Sequence, residues 1–162
     1  MVDVLRPTRI ATKRLVLEPL DQEVARALLV EDFSVVTKAE GWPHDDTLDA
    51  IRMATTPDGR SLVWLVLLGK VVIGECGTVG GLDDAGEIEV GYGLAAEHRG
   101  RGYGNEVVGA LSGWLMAQPE VEQVVAREVL ADNVASRRAL ENAGFLLERE
   151  EHGLTWYALH RP

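Results

Sequence analysis

From Ser61 to Leu68 the chain is almost continuously apolar, Gly69-Lys70 supplies a tight turn, and strand character resumes from Val71 to Val79. Two such runs joined by a glycine-containing turn dictate an antiparallel hairpin, and a hairpin this apolar belongs in a sheet. Other segments supply its neighbours. Arg14–Leu20 alternates Leu15 and Leu17 with polar positions, Glu87–Leu94 alternates again, Val121–Leu130 is rich in valine, and Phe145–Leu159 holds two strands around Gly153. Helical spacing is found after Asp21 (Val24, Ala25, Leu28, Leu29) and from about Thr47 to Thr55. It recurs in Gly102–Gln118, where Tyr103, Val107, Val108, Leu111 and Leu115 share one face, and in Asn133–Ala143, which has Asn133 as N-cap and Gly144 as stop. The expected fold is α/β (α+β): one domain over residues 1–162, with a mixed central sheet of about six to seven strands flanked by about four helices.

Composition narrows the function classes. With 162 residues and 46% hydrophobic positions the chain suits one core that buries roughly 70% of the unfolded surface. Sixteen Lys and Arg against 26 Asp and Glu leave a net charge of −10, so neither nucleic acid nor an anionic membrane is an expected partner, whereas an amine is. The lone Cys76 makes no internal disulfide, which points to a reducing, cytoplasmic setting, and inside a strand it reads as a small buried hydrophobe. Met1–Ile10 lacks the apolar run of a signal peptide, and no stretch approaches the roughly 18 apolar residues of a membrane span. His44, His98, His152 and His160 lack ligand spacing, so no metal is expected.

The sharpest local feature is His98-Arg99-Gly100-Arg101-Gly102-Tyr103-Gly104, set between a strand and a helix. Three glycines in five residues let backbone N–H groups approach a ligand closely, and the following helix aims its unsatisfied amides at the same point. Arg99 and Arg101 add positive field, so the segment reads as an anion site, most simply for phosphate; the competing reading is a solvated turn. Neither standard nucleotide motif fits, because Val107 stands where a dinucleotide fingerprint needs its third glycine and the Lys-Ser/Thr ending of a P-loop is absent.

Arg99-x-x-Gly102-x-Gly104 resembles the acetyl-CoA pyrophosphate loop of the GNAT superfamily of N-acetyltransferases. Asn133-x-x-Ser136-x-x-x-Leu140-x-x-x-Gly144-Phe145 resembles the same family's second block, in the form typical of its RimJ/RimL-like, ribosomal-protein N-terminal acetyltransferase branch. The resemblance implies a GNAT-like domain with acetyl-CoA as co-substrate. Backbone groups of Tyr92, Gly93 and Leu94 would then pair with pantetheine, and Arg99, Gly100, Arg101, Gly102, Tyr103 and Gly104 would hold the pyrophosphate. Asn133 would touch the reactive end and Arg138 the adenosine phosphate. Independently, Glu87, Glu89, Gly91 and Gly93 share one strand face, and interior glycines mark either a bulge or a close ligand approach.

Acyl transfer to an amine needs a neutral amine, a polarised carbonyl and a proton for the leaving thiolate. Glu89 is the candidate base, because Glu89-Val90-Gly91-Tyr92 resembles the family's Glu-Ile-Gly-Tyr; it would act directly or through water. Glu87 shares its face, and mutual repulsion would raise at least one of the two pKa values; otherwise both are solvent-facing. Many family members donate a proton from a tyrosine where this chain has Leu140, which leaves Ser136 as the implied acid; its alternative role is to bond the helix backbone. The loop residues Trp42 and His44 are candidates to wall the acceptor site together with Glu87, although a tryptophan so placed also serves as packing. The expected activity is acetyl transfer to a protein N-terminal α-amine or a small-molecule amine, with a homodimer left open. The alternatives are a non-catalytic CoA-binding sensor and a transferase using a longer acyl-CoA.

Overall fold

The computed structural model describes residues 5–57 and 59–162, so the first four residues of the stretch read for a signal peptide lie outside it. In chain order the elements are β1 (Ile10–Ala11), β2 (Val16–Pro19), α1 (Gln22–Leu29), α2 (Asp45–Thr55), β3 (Val63–Leu68), β4 (Val71–Val79) and β5 (Glu87–Leu94), followed by α3 (Tyr103–Met116), β6 (Gln123–Leu130), α4 (Val134–Asn142), β7 (Leu146–Glu151) and β8 (Leu154–His160). The apolar hairpin is β3–β4, at the heart of one sheet with spatial order β1-β2-β3-β4-β5-β6-β8-β7. Among the described residues that makes eight strands and four α-helices, one strand more than the upper expectation. The addition is β1, whose two residues are too few to show a period.

Cross-strand pairs divide the sheet into two faces. Trp64, Cys76 and Tyr92 are aligned on β3, β4 and β5, and next to them on the opposite face run Leu65, Glu75 and Gly93. The first face meets α3 and α4. Trp64 packs edge-on against Trp114 at 5.2 Å between ring centroids, and Val107, Leu111 and Leu115 are buried beneath α3. The second face meets α2, whose Thr47 bonds Glu75, and α1 packs beside α2 with Ala25 and Leu28 buried. With helices on both sides, β3 and β4 are buried on both faces, and this is why β3 is continuously apolar instead of alternating, while β4 buries Glu75 and Thr78 among its apolar residues.

Every strand pairing is antiparallel except β5–β6. That parallel ladder covers only Glu87↔Gln123, Ile88↔Val124 and Glu89↔Val125. Beyond it the strands part, and β6 is bulged between Ala126 and Val129 with Glu128 at φ 55°. The glycines of β5 are not a bulge: its ladder with β4 runs without a break from Gly74↔Leu94 to Val79↔Glu89. A fork therefore opens beside Val90–Leu94, where every second amide of β5 faces away from β4 with no β6 partner.

Candidate active site

The fork holds a cavity of about 440 Å³ between Val90, Gly91 and Tyr92 of β5 and Ala126–Leu130 of β6. It meets a second cavity of about 450 Å³ at Tyr92, Asn133 and Ser136, and this one runs past Gly93 and Leu94 to Arg99, Gly100, Gly102, Gly104 and Arg138. A third, of about 250 Å³, lies on the α2 side of the sheet over Gly77 and Gly91. Tyr92 lines all three.

The glycine loop is shaped as its sequence suggests. Gly100 (φ 74°) and Gly102 (φ 82°) are left-handed, and Gly102 is the N-cap of α3. No atom lies within 4 Å of where a Cβ on Gly100 would stand. Backbone amides opening a helix beside vacant space suit an anionic oxygen, so the residues present fit a coenzyme diphosphate. Arg99 lines the cavity while its Nε donates to the Leu94 carbonyl at 3.1 Å. Two of the residues assigned to the pyrophosphate stand apart. Arg101 is exposed and presents its carbonyl to Arg14 Nη1 at 2.9 Å, and Tyr103 is buried beneath the Arg14 guanidinium, 4.4 Å from its ring centroid. The first turn of α3 directs the Tyr103 side chain to the core.

Arg14 and Glu106 are the supports that sequence reasoning missed. Glu106 accepts from the Arg14 backbone N–H and from Thr12 Oγ1, each at 2.9 Å, and pairs with Arg14 Nε, so the chain ahead of β2 is tied to the first turn of α3. Burial alone would raise the Glu106 carboxyl, but the hydrogen bonds from Arg14 and Thr12 outweigh it and hold the group below the ordinary carboxylate range. A carboxyl lowered in the folded state stabilises the fold above the unfolded pKa, and that contribution is lost as pH falls through the folded value. Glu106→Gln is therefore expected to cost about 1 kcal/mol at neutral pH and almost nothing well below the ordinary carboxylate range. Urea unfolding of both proteins at the two pH values checks this; a constant gap would contradict it.

Asn133 caps α4 as expected, with its Oδ1 accepting the Ser136 N–H at 3.1 Å. That cap sets the first turn of α4 against β5, and Ser136 Oγ stands 3.1 Å from the Tyr92 hydroxyl, where the first two cavities join. Leu140 is buried one turn further along and lines the fork with carbon only. The paired hydroxyls are thus the proton-bearing side chains on this wall.

Glu87 and Glu89 lie on one face as expected, but they do not confront each other unaided. The β6 bulge brings Arg127 between them: its Nη1 is 3.1 Å from Glu89 Oε1 and its Nη2 pairs with Glu87. Neither carboxylate lines any of the three cavities. Trp42 and His44 also do not wall them. Trp42 is 1% exposed within the apolar core, and its indole N–H donates to Glu75 Oε2 at 2.7 Å. The His44 backbone N–H donates to Thr47 Oγ1 at 3.1 Å, and Thr47 in turn donates to Glu75 Oε1 at 2.9 Å. The carboxylates that do line the third cavity are Asp46 on α2 and the buried Glu75 on β4, and no local motif marks either.

A fork beside a partly unpaired strand thus runs toward a glycine loop at a helix start. The acetyltransferase (GNAT) domain family matches residues 14–146, more than half of the chain. This chain is a GNAT acetyltransferase. The GNAT chain is 27% identical over 158 residues to an uncharacterised N-acetyltransferase, YjdG, of Bacillus subtilis (strain 168), covering 86% of this chain and 90% of that protein. Its fold matches an acetyltransferase from Agrobacterium tumefaciens str. C58 with TM-score 0.67 at 24% identity, over 99% of both chains. It also matches RimL, a ribosomal L7/L12 α-N-protein acetyltransferase solved with coenzyme A, with TM-score 0.68 at 17% identity, over 94% of this chain and 98% of that one. No helix among the described residues is long and apolar enough to cross a membrane.

Proposed function

We propose that this GNAT acetyltransferase moves an acetyl group from acetyl-CoA to a primary amine by direct attack while both substrates are bound. The observation that carries this reading is that Tyr92 borders all three cavities, which sets an anion cradle, an open strand edge and an acidic pocket about one residue. When bound, acetyl-CoA supplies the activated acetyl carbonyl and a thiol leaving group. Amides of Gly100–Gly104 with Arg99 hold the diphosphate, Arg138 serves the adenosine end, the Tyr92–Leu94 backbone pairs with pantetheine, and Asn133 borders the reactive end. A backbone N–H of Val90 or Gly91 polarises the carbonyl as a fixed dipole. Ser136, backed by the Tyr92 hydroxyl, returns a proton to the departing sulfur. The Glu87–Arg127–Glu89 clamp holds β5 to β6 at the root of the fork, and Trp42 and His44 act through Glu75 and Thr47.

Proton affinity narrows the acceptor. An α-amine of pKa about 8 needs ~1.4 kcal/mol to become neutral at pH 7, against ~4.6 kcal/mol for a lysine at about 10.4, so protein N-terminal amines or similarly weak small-molecule amines are favoured. The lone, buried Cys76 thiol suits the cytoplasm. Leu140, carbon where a proton donor would serve, is the one feature that favours a CoA-binding sensor instead. Thiol release from acetyl-CoA over a panel of amines and N-terminal peptides tests the reading, with succinyl-CoA run beside it. Acceptor-dependent release is the expected result; tight CoA binding with no turnover would establish the sensor, and faster turnover of succinyl-CoA a longer-acyl transferase.

A further inference from the structure

We propose that Glu75 is the carboxylate that receives the acceptor: it binds the cationic amine at the end of the third cavity and takes its proton. The inference rests on the acetyl-transfer reading and names the residue that selects and activates its amine.

Glu75 is 8% exposed and lines this cavity, whose floor is the cross-strand pair Gly77 and Gly91 and whose α2 wall carries Asp46. The room for the carboxylate is made on the neighbouring strand. A Cβ on Gly93, directly across the ladder, would stand 2.8 Å from Glu75 Oε1, so a side chain there would push the carboxylate off its present place. Beside it, Gly91 has no atom within 4 Å of where its Cβ would be, so the floor is open to an incoming group. The carboxylate is also aimed, with Trp42 Nε1 on Oε2 and Thr47 Oγ1 on Oε1. Two donors occupy about half of the four acceptor positions of an ionised carboxylate, and the others are available to an ammonium.

Charge sets what can enter. A buried carboxylate needs a compensating cation, and no Lys or Arg pairs with Glu75 among the described residues. The titratable groups around it are His44, the N-cap of α2, Asp46 in that helix and Cys76 on its own strand, while its partners Leu65 on β3 and Gly93 on β5 bring no charge. A cationic amine supplies the missing charge. The volume of about 250 Å³ falls below the roughly 300–1,000 Å³ of drug-sized sites and suits a slim arm.

Burial pushes the Glu75 carboxyl up, against the hydrogen bonds from Trp42 and Thr47. A raised carboxyl lies closer to an amine in proton affinity, so moving the proton from nitrogen to Glu75 is less uphill than to an ordinary glutamate. The step is balanced: an N–H bond of the ammonium breaks, an O–H bond forms on Glu75, and the lone pair left on nitrogen is the nucleophile. Glu89, bound to Arg127 outside the cavity, has no comparable access.

The experiment compares wild type, Glu75→Gln and Thr47→Val in acetyl-CoA turnover with n-butylamine, a peptide bearing a free N-terminus, and methoxyamine, which is uncharged at neutral pH, while calorimetry follows CoA affinity. Glu75→Gln is expected to keep CoA affinity, lose about 100-fold in kcat/KM with the acceptors that need a proton removed, lose far less with methoxyamine, and lose the acid limb of the pH profile. Thr47→Val removes a bond that lowers the carboxyl, so its acid limb moves to higher pH. Glu75→Gln removes a buried charge and should melt no lower than wild type at neutral pH. Equal losses on charged and uncharged amines, or an unchanged pH profile in both variants, would overturn the assignment to Glu75 while leaving acetyl transfer intact. A wild-type protein that transfers acetyl to none of these amines would overturn both.

Discussion

Replacing Gly102 with valine is expected to raise the KM for acetyl-CoA about 100-fold. Gly102 opens α3 at φ 82°, a conformation that costs a β-branched residue about 1–3 kcal/mol, and its Cβ would stand 3.1 Å from Arg14 Nη2. The new side chain also occupies the wall of the cavity along which the diphosphate lies. Hydrogen bonds to a charged group contribute about 1.5–3 kcal/mol each, so losing one or two of them gives close to 3 kcal/mol, or two decades of affinity. Gly100→Ala separates backbone strain from bulk: φ is 74° there, but its Cβ meets nothing within 4 Å, so a smaller loss is expected. Steady-state kinetics with acetyl-CoA varied, beside thermal melts, checks both variants. An unchanged KM in Gly102→Val would remove the diphosphate from this loop.

Ser136→Ala and Tyr92→Phe are each expected to lower kcat by roughly 10- to 100-fold, in the lower range of what a positioned proton donor contributes. The two hydroxyls are 3.1 Å apart and act in series, so the double variant should be little worse than the poorer single one. CoA affinity should hold in both single variants, because the diphosphate cradle lies farther along the groove. Multiplicative losses would mean that the hydroxyls work independently, and a wild-type kcat in Ser136→Ala would assign the thiolate proton elsewhere.

What could be read from the chain was what is local in it. The β3–β4 hairpin shows because both strands and their turn are contiguous, and the anion loop shows because glycines and arginines sit where a strand gives way to a helix. Asn133 showed as a cap because the Ser136 amide it accepts is three residues on. Tertiary pairing was hidden. Arg14 and Glu106 are 92 residues apart, and nothing near either predicts the tie between them. The clamp on Glu87 and Glu89 depends on a bulge that turns Arg127 toward β5, and its faint signal was two charges interrupting a valine-rich strand. Trp42 looked like a wall residue between Gly41 and Pro43, yet its indole was needed inside by a carboxylate 33 residues later. Glu75 was concealed by its apolar strand, and its function becomes legible only when Gly93 is placed across from it.

The most direct test of the central claim is a crystal structure of the protein with coenzyme A bound. The account predicts diphosphate oxygens within hydrogen-bond distance, about 3 Å, of backbone amides in Gly100–Gly104, and the coenzyme sulfur beside Ser136 and Tyr92. A coenzyme bound with this loop bare, or with its sulfur outside the β5–β6 fork, would contradict it.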